Sequence, residues 1–154
     1  MGILDKFIRK KSYDGENIRL VESYRTNEKT AYDGVPTVYY DIERIEDKVK
    51  VGRIELRLTI EGKMYYYGHI GYTILKQFRG NHYAYQACEV LFQIVKEEFN
   101  MKELIITCSP ENVASYKTLT KLGGEIIDLV EVPNNHPLYL LGEKTKYIFR
   151  YKIG

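Results

Sequence analysis

Apolar and polar residues alternate along the first half of the chain, and the period then changes. Asn17 to Tyr24 alternates and predicts a first strand. Val38 to Ile45 predicts a second. Lys48 to Ile60 predicts a third, with Val49, Val51, Ile54, Leu56, Leu58 and Ile60 as its apolar positions. The apolar phase slips at Gly52-Arg53, which predicts a β-bulge there. Met64 to Leu75 predicts a fourth strand. Arg25 to Pro36 is polar, with Asp33-Gly34 and Pro36, and reads as a loop; Glu46-Asp47 and Glu61-Gly62-Lys63 read as turns.

From His82 the spacing becomes helical. Ala84, Ala87, Cys88, Leu91, Ile94, Val95 and Phe99 fall on one face and predict a helix over His82 to Phe99. Glu103 to Cys108 is a short apolar run of the kind buried on both faces of a sheet. Ser109 as N-cap and Pro110 at the first helical position predict a second helix, ending near Leu122 before Gly123-Gly124. Glu125 to Val132 and Thr145 to Ile153 complete the strands, with a loop at Pro133–Pro137. Ile3, Leu4, Phe7 and Ile8 share a face in residues 3–9. They suggest that residues 1–16 form a docked arm, with a membrane foot as the alternative because Lys6, Arg9, Lys10 and Lys11 surround that face.

These elements predict one α+β domain over residues 1–154. Its core is a mixed, mostly antiparallel sheet of six to seven strands with flanking helices. Met64–Leu75 and Glu103–Cys108 are expected to pair in parallel through a right-handed crossover and to splay at their carboxyl ends. The length of 154 residues suits one domain, and 44% hydrophobic with 29% charged residues places it among ordinary globular proteins. A net charge of +2 is too small to argue for nucleic acid. Cys88 and Cys108 form no CxxC pair, so no disulfide framework is expected and a reduced, cytoplasmic setting is. No leader-like apolar region opens the chain and no run approaches a membrane span, so no membrane partner is expected.

The candidate chemistry lies at Gln77-Phe-Arg-Gly-Asn-His-Tyr-Ala84, where the fourth strand meets the first helix. The first turn of a helix carries unpaired amide hydrogens and the positive end of the helix dipole, and such a junction binds phosphate. Gly80 permits close backbone approach, and Arg79 adds a permanent cation. A structural turn without a ligand is the alternative reading.

Gly68 to Gly124 resembles the acyl-coenzyme-A core of the GNAT superfamily of acetyltransferases. The family's loop reads Arg/Gln-x-x-Gly-x-Gly/Ala; Arg79-Gly-Asn-His82-Tyr-Ala84 matches at Arg79 and Ala84 and departs at His82. Asn112-x-x-Ser115 followed by Lys121-Leu-Gly123 resembles the family's second motif. The resemblance implies acetyl transfer from acetyl-CoA to an amine by direct attack. It implies that Arg79, Gly80, Asn81, His82, Tyr83 and Ala84 hold the pyrophosphate and that Asn112 holds the pantetheine arm. Ser115 lies beside that arm, and Lys117 faces either the 3′-phosphate or solvent. The tyrosine that usually protonates the leaving thiolate falls at Leu119 here. The family also places two helices between its first two strands, and residues 25–36 cannot hold two helices at about 1.5 Å per residue. The acceptor wall is then simplified, or built by residues 1–16 or 133–143.

Three groups are candidates for proton transfer: Tyr116, which shares a helix face with Asn112, Ser115 and Leu119; His69 on the fourth strand; and Glu55 on the third. A backbone amide near Ile74 or Leu75 is the candidate oxyanion donor. Cys108 reads as a buried strand residue, and the three histidines have no metal-ligand spacing, so no metal is expected. The acceptor is left open between a small-molecule and a peptide amine. Tyr65, Tyr66, Tyr67 and Tyr72 either line an aromatic cleft or form a homodimer face. Two rival readings stand: a catalytically weak CoA-binding or interaction protein on the same fold, and a nucleotide module, against which the lack of GxxxxGK[ST] counts.

Overall fold

The computed structural model describes residues 10–31 and 34–154. The expected helix in residues 3–9 and Asp33 of the expected loop lie outside the described residues. The strands are β1 (Ser12–Asp14), β2 (Ile18–Arg25), β3 (Thr37–Arg44), β4 (Lys50–Arg57), β5 (Ile70–Ile74), β6 (Glu103–Cys108), β7 (Glu125–Glu131) and β8 (Thr145–Lys152). The helices are α1 (Tyr83–Glu98), α2 (Val113–Lys121) and a one-turn α3 (Pro137–Leu140).

β1 to β5 form an antiparallel sheet in chain order, and β6, β8 and β7 form a second antiparallel sheet in that order. The alternation read from the sequence places one face inward. Ile18, Leu20, Val38, Tyr40, Ile42, Ile54 and Leu56 are all fully buried or nearly so. α1 covers them with Ala87, Cys88, Leu91, Ile94 and Val95, the stripe its spacing predicted. Full burial of each such aliphatic side chain contributes roughly 1.5–3 kcal/mol before chain entropy is counted. Phe149 and Tyr151 of β8 and Leu119 of α2 join the same core, so the two sheets share it.

The α+β architecture stands as expected, and four local expectations are corrected. First, no parallel ladder joins the crossover strands. β5 and β6 lie in different sheets, and the residues just before β5 meet β6 at one isolated antiparallel bridge, Gly68 to Ile106. At that point His69 N–H turns to the Ile105 carbonyl, 2.7 Å, while His69 C=O accepts from Arg57 N–H, 2.6 Å. One strand thus serves both sheets at a single residue and then follows β4 away from β6.

Second, the predicted fourth strand begins six residues late. Met64 to Tyr67 have no polar alternation, and residues 62–66 form a 3-10 turn in which Tyr67 and Gly68 N–H donate to Met64 C=O. Third, α2 is capped by Asn112, whose Oδ1 accepts from Ser115 N–H at 3.1 Å. Ser109 lies three residues before that position, and its hydroxyl donates to Glu143 Oε1 at 2.7 Å. Fourth, residues 133–137 are not a simple loop. His136 caps α3 through Nδ1, while its Nε2 meets the Lys63 carbonyl, 2.9 Å, so this segment docks on the tyrosine-rich turn. The bulge falls at Val51, one residue before the predicted phase slip: Ile42 pairs with Gly52 and Glu43 with Lys50.

Candidate active site

A cavity of about 550 Å³ lies between β5, the start of α1 and α2, the helix that follows β6. Tyr72, Thr73 and Ile74 of β5 form one wall, residues 78–80 and 82–85 the floor, and Asn112, Ala114, Ser115, Lys117 and Thr118 the other wall. The parting of two strands that share a core makes this opening: β5 stays with β4 and β6 with β8.

The floor is the start of α1. Its first intrahelical bond runs from Gln86 N–H to His82 C=O, 3.1 Å, so the amides of Tyr83, Ala84 and Tyr85 have no acceptor within the helix. His82 gives no side-chain cap, and no acidic residue occupies the first turn. His82 takes φ +61° and ψ +22°, a left-handed conformation that turns the chain sharply into the helix. Gly80 has φ +86°, and a Cβ there would meet nothing within 4 Å, so its bare backbone faces open space. Arg79 Nε donates to the Ile74 carbonyl at 3.1 Å, tying its guanidinium to the end of β5. A diphosphate fits this floor, which offers amide hydrogens, a helix dipole, an arginine and no side chain at the glycine.

The β5 wall carries donors. In an antiparallel ladder, hydrogen-bonded and non-bonded pairs alternate. Leu75 N–H donates to Val51 C=O, 2.9 Å, and Arg57 N–H to His69 C=O, so residues 69, 71, 73 and 75 turn towards β4. Tyr72 and Ile74 therefore turn their amides to the open edge. Leu75 is corrected as an oxyanion donor, because its amide is taken; Ile74 is retained and Tyr72 is added.

The opposite wall meets β5 through one pair. Tyr72 Oη and Ser115 Oγ are 3.0 Å apart. Burial, offset in part by the bond to Ser115, pushes the Tyr72 phenol up to about 12, so it stays protonated near neutral pH. Tyr72 is the functional candidate that sequence reasoning left as a cleft lining. Its parity with Ile70 and Ile74 on the strand, opposite the Asn112–Ser115 turn, is the signal that pointed there. Leu119 is fully buried in the core, with Tyr151 Oη donating to its carbonyl at 2.6 Å.

The other predicted residues separate. Arg79, Gly80, His82, Tyr83, Ala84, Asn112, Ser115 and Lys117 all line the cavity. Asn81 instead lines a neighbouring polar cleft with Arg44 and Glu46, and its Nδ2 donates to Phe78 C=O at 3.0 Å. Tyr116 is corrected as an acid: its ring turns away from the cavity and packs on Tyr147 and Phe149, at 5.5 and 6.0 Å between centroids. The helical register that puts Ser115 on the cavity swings its neighbour about 100° round the axis. Cys108 is buried, and burial raises its thiol above the usual range, as it does that of Cys88. Neither is a ready nucleophile. Glu55 lies on the outer face of the sheet, opposite Gly71 in register and 3.4 Å from the Arg57 guanidinium. Among the described residues no cluster of His, Cys, Asp or Glu could hold a metal, and no helix is long and apolar enough to cross a membrane.

His69 is also corrected. Its Nδ1 accepts from Ile105 N–H at 2.9 Å, which uses the lone pair that a base would need. Burial and then the Arg57 charge lower its pKa to about 4. The folded value lies below the usual value of about 6.5, so the neutral ring is the native form. Its contribution is whole above about pH 6.5 and is lost as pH falls towards 4, on the order of 3 kcal/mol in all. Urea unfolding between pH 4 and 7 is expected to show this slope. His69→Asn, which offers an acceptor but does not titrate, is expected to flatten it; equal slopes in the two proteins would refute the assignment.

Comparison with known proteins agrees with this geometry. A family profile described as the acetyltransferase (GNAT) domain matches residues 6–125. An uncharacterized N-acetyltransferase, YnaD, of Bacillus subtilis (strain 168) is 32% identical over 54 residues, 35% of this chain. The match spans about a third of that curated relative's length, 32%. The chain is similar in fold to a GNAT-family acetyltransferase from Bacillus anthracis, with TM-score 0.68 and 14% identity over 92% of this chain and 98% of the other. It is also similar to the ribosomal L7/L12 alpha-N-protein acetyltransferase RimL in complex with coenzyme A, at TM-score 0.69 and 11% identity over 93% and 98%. The microcin C7 self-immunity acetyltransferase MccE, in complex with acetyl-CoA and AMP, gives TM-score 0.60 and 18% identity over 76% and 61%.

Proposed function

The chain belongs to the GNAT acetyltransferase family, and from that premise we propose that it transfers an acetyl group from acetyl-coenzyme A to an amine by direct attack. The observation that carries this reading is the cavity between the parted strands, with an uncapped helix start at its floor and the Tyr72–Ser115 pair at its wall. Two solved relatives of the same fold are described in complex with coenzyme A or acetyl-CoA.

Arg79, Gly80 and the first amides of α1 would hold the diphosphate, and Asn112 would use its free amide group on the pantetheine arm, since its oxygen caps α2. Acetyl-CoA supplies an activated acetyl thioester. The amides of Tyr72 and Ile74 hold the carbonyl oxygen as charge builds on it. The amine nitrogen bonds to the acetyl carbon while the carbon–sulfur bond breaks. Glu55, or water beside it, takes the amine's proton. Tyr72 and Ser115 present a hydroxyl proton to the departing sulfur. The cytoplasm, where acetyl-CoA is made and used, suits this chemistry.

Release of free thiol from acetyl-CoA in the presence of a panel of amines tests the reading. Thermal stabilisation by coenzyme A is expected, on the order of 3 kcal/mol at a hundredfold excess over Kd. Stabilisation by ATP alone would sink it. The buried Leu119, where the family's acid usually stands, favours the second reading: a CoA-binding protein of weak catalytic power. Coenzyme A binding without thiol release on any amine would establish that second reading.

A further inference from the structure

The outer face of the large sheet looks away from α1, because Tyr40, Ile42, Ile54 and Leu56 alternate into the core. The register places Tyr24, Tyr39, Glu55 and Gly71 in one row across β2 to β5. Asp41, Arg53 and Thr73 form the adjacent row. Residues 26–36 connect β2 to β3, and near their start Asn27 Oδ1 accepts from Lys29 N–H at 2.9 Å.

Most cations of this face are matched. Arg19 meets Asp14 at 3.1 Å, Lys50 meets Asp41 at 3.0 Å, and Arg57 meets Glu55 at 3.4 Å. Arg53 is exposed and has no carboxylate partner among the described residues, although Asp41 is its cross-strand neighbour. Lys50 holds that carboxylate instead. The Arg53 guanidinium rests 4.7 Å over the Tyr39 ring, which in turn stacks on Tyr24 at 4.4 Å. Arg53 is therefore an oriented cation with its outer side open, beside Thr73, which lines the cavity.

Glu55 sits two residues along the same strand. At Gly71 a Cβ would meet Arg57 Nη2 at 2.9 Å and Glu55 Oε1 at 3.5 Å, so the bare backbone lets that carboxylate lie against β5 beside Tyr72. Glu55 and Arg53 thus stand on one face of β4, two residues apart, a strand repeat of roughly 7 Å between their Cα atoms. Gly71, opposite Glu55, adjoins Tyr72 of the cavity wall, and Thr73, opposite Arg53, lines that wall.

We propose that the acceptor docks on this outer face and is an amine that carries an anionic group, with the amine received at Glu55 and the anion at Arg53. This rests on the acetyl-transfer reading above and names its substrate class. An extended dipeptide, with an amine at one end and a carboxylate at the other, is the simplest acceptor of this class. Polyamines, with a second cation in place of the anion, are rejected by the same arrangement.

The test compares glycylglycine with glycylglycine amide, which share one amine and differ in the carboxylate. The intact protein is expected to favour the acid in kcat/KM by roughly tenfold, the scale of one charge-assisted hydrogen bond. Arg53→Ala is expected to bring the ratio near one, and Arg53→Lys to keep part of it. Equal efficiency on both dipeptides, or a preference that survives Arg53→Ala, overturns the proposal. Calorimetric binding of both dipeptides to the coenzyme-A-saturated protein runs in parallel. An Arg53-dependent preference in binding without turnover upholds the anion site and removes the acetyl-transfer reading. No preference in either measurement removes the site.

Discussion

Gly52→Ala is expected to destabilise the protein by roughly 3 kcal/mol, at the upper end of what overpacking costs. Gly52 lies opposite Ile74 in the β4–β5 ladder. A Cβ at that position would overlap the Thr73 carbonyl oxygen and come within 3.1 Å of the Ile74 Cα. Both obstacles are backbone, so no side-chain rotation relieves them. The strands must move apart at the point where Leu75 N–H meets Val51 C=O. The displaced segment is the wall that turns the Ile74 amide to the cavity, so acetyl transfer should fall with stability. Urea unfolding measures the first effect, and thiol release at a temperature where the variant is folded measures the second. A midpoint within about 0.5 kcal/mol of the parent would show that β5 yields without cost.

Tyr72→Phe and Ser115→Ala are each expected to lower kcat by roughly a hundredfold, the lower range for loss of general acid catalysis. The two hydroxyls are 3.0 Å apart and present one proton between them. They should behave as a unit, with the double variant little worse than either single one. Both changes remove one oxygen and conserve the packing, so coenzyme A affinity is expected to hold. A rise in KM with kcat unchanged would make the pair a binding contact. Unchanged kinetics in both variants would return the acid role to water.

The open amides of β5 and the floor of α1 divide the labour between the ends of one cavity. In the proposed reaction the floor would take a fixed anion and the wall a charge that develops during transfer. The outer face of the same sheet is the one we propose for the acceptor.

Much of this was legible in the amino-acid order. The apolar spacing of α1 recovered its whole buried stripe, from Ala87 to Val95, because a helix repeats its core contacts every three or four residues. The phase slip at Gly52 located the bulge within one residue. Gly80 and His82 marked the strand-to-helix turn, and both adopt positive φ there. The run Met64–Tyr67 misled, since consecutive tyrosines suit a strand by propensity, whereas their carbonyls close a turn.

Local pattern thus placed seven of the eight described strands, all but β1, together with the two long helices and the strand-to-helix junction, each of which depends on neighbours within a few residues. Tertiary structure alone decided the chemistry around them. It set Ser115 against Tyr72 across 43 residues, tied the His69 imidazole to Ile105 across 36, and gave Asp41 to Lys50 so that Arg53 has no carboxylate partner among the described residues. Such pairings follow from how two sheets share one core and part above it, a geometry that no periodicity in the chain encodes.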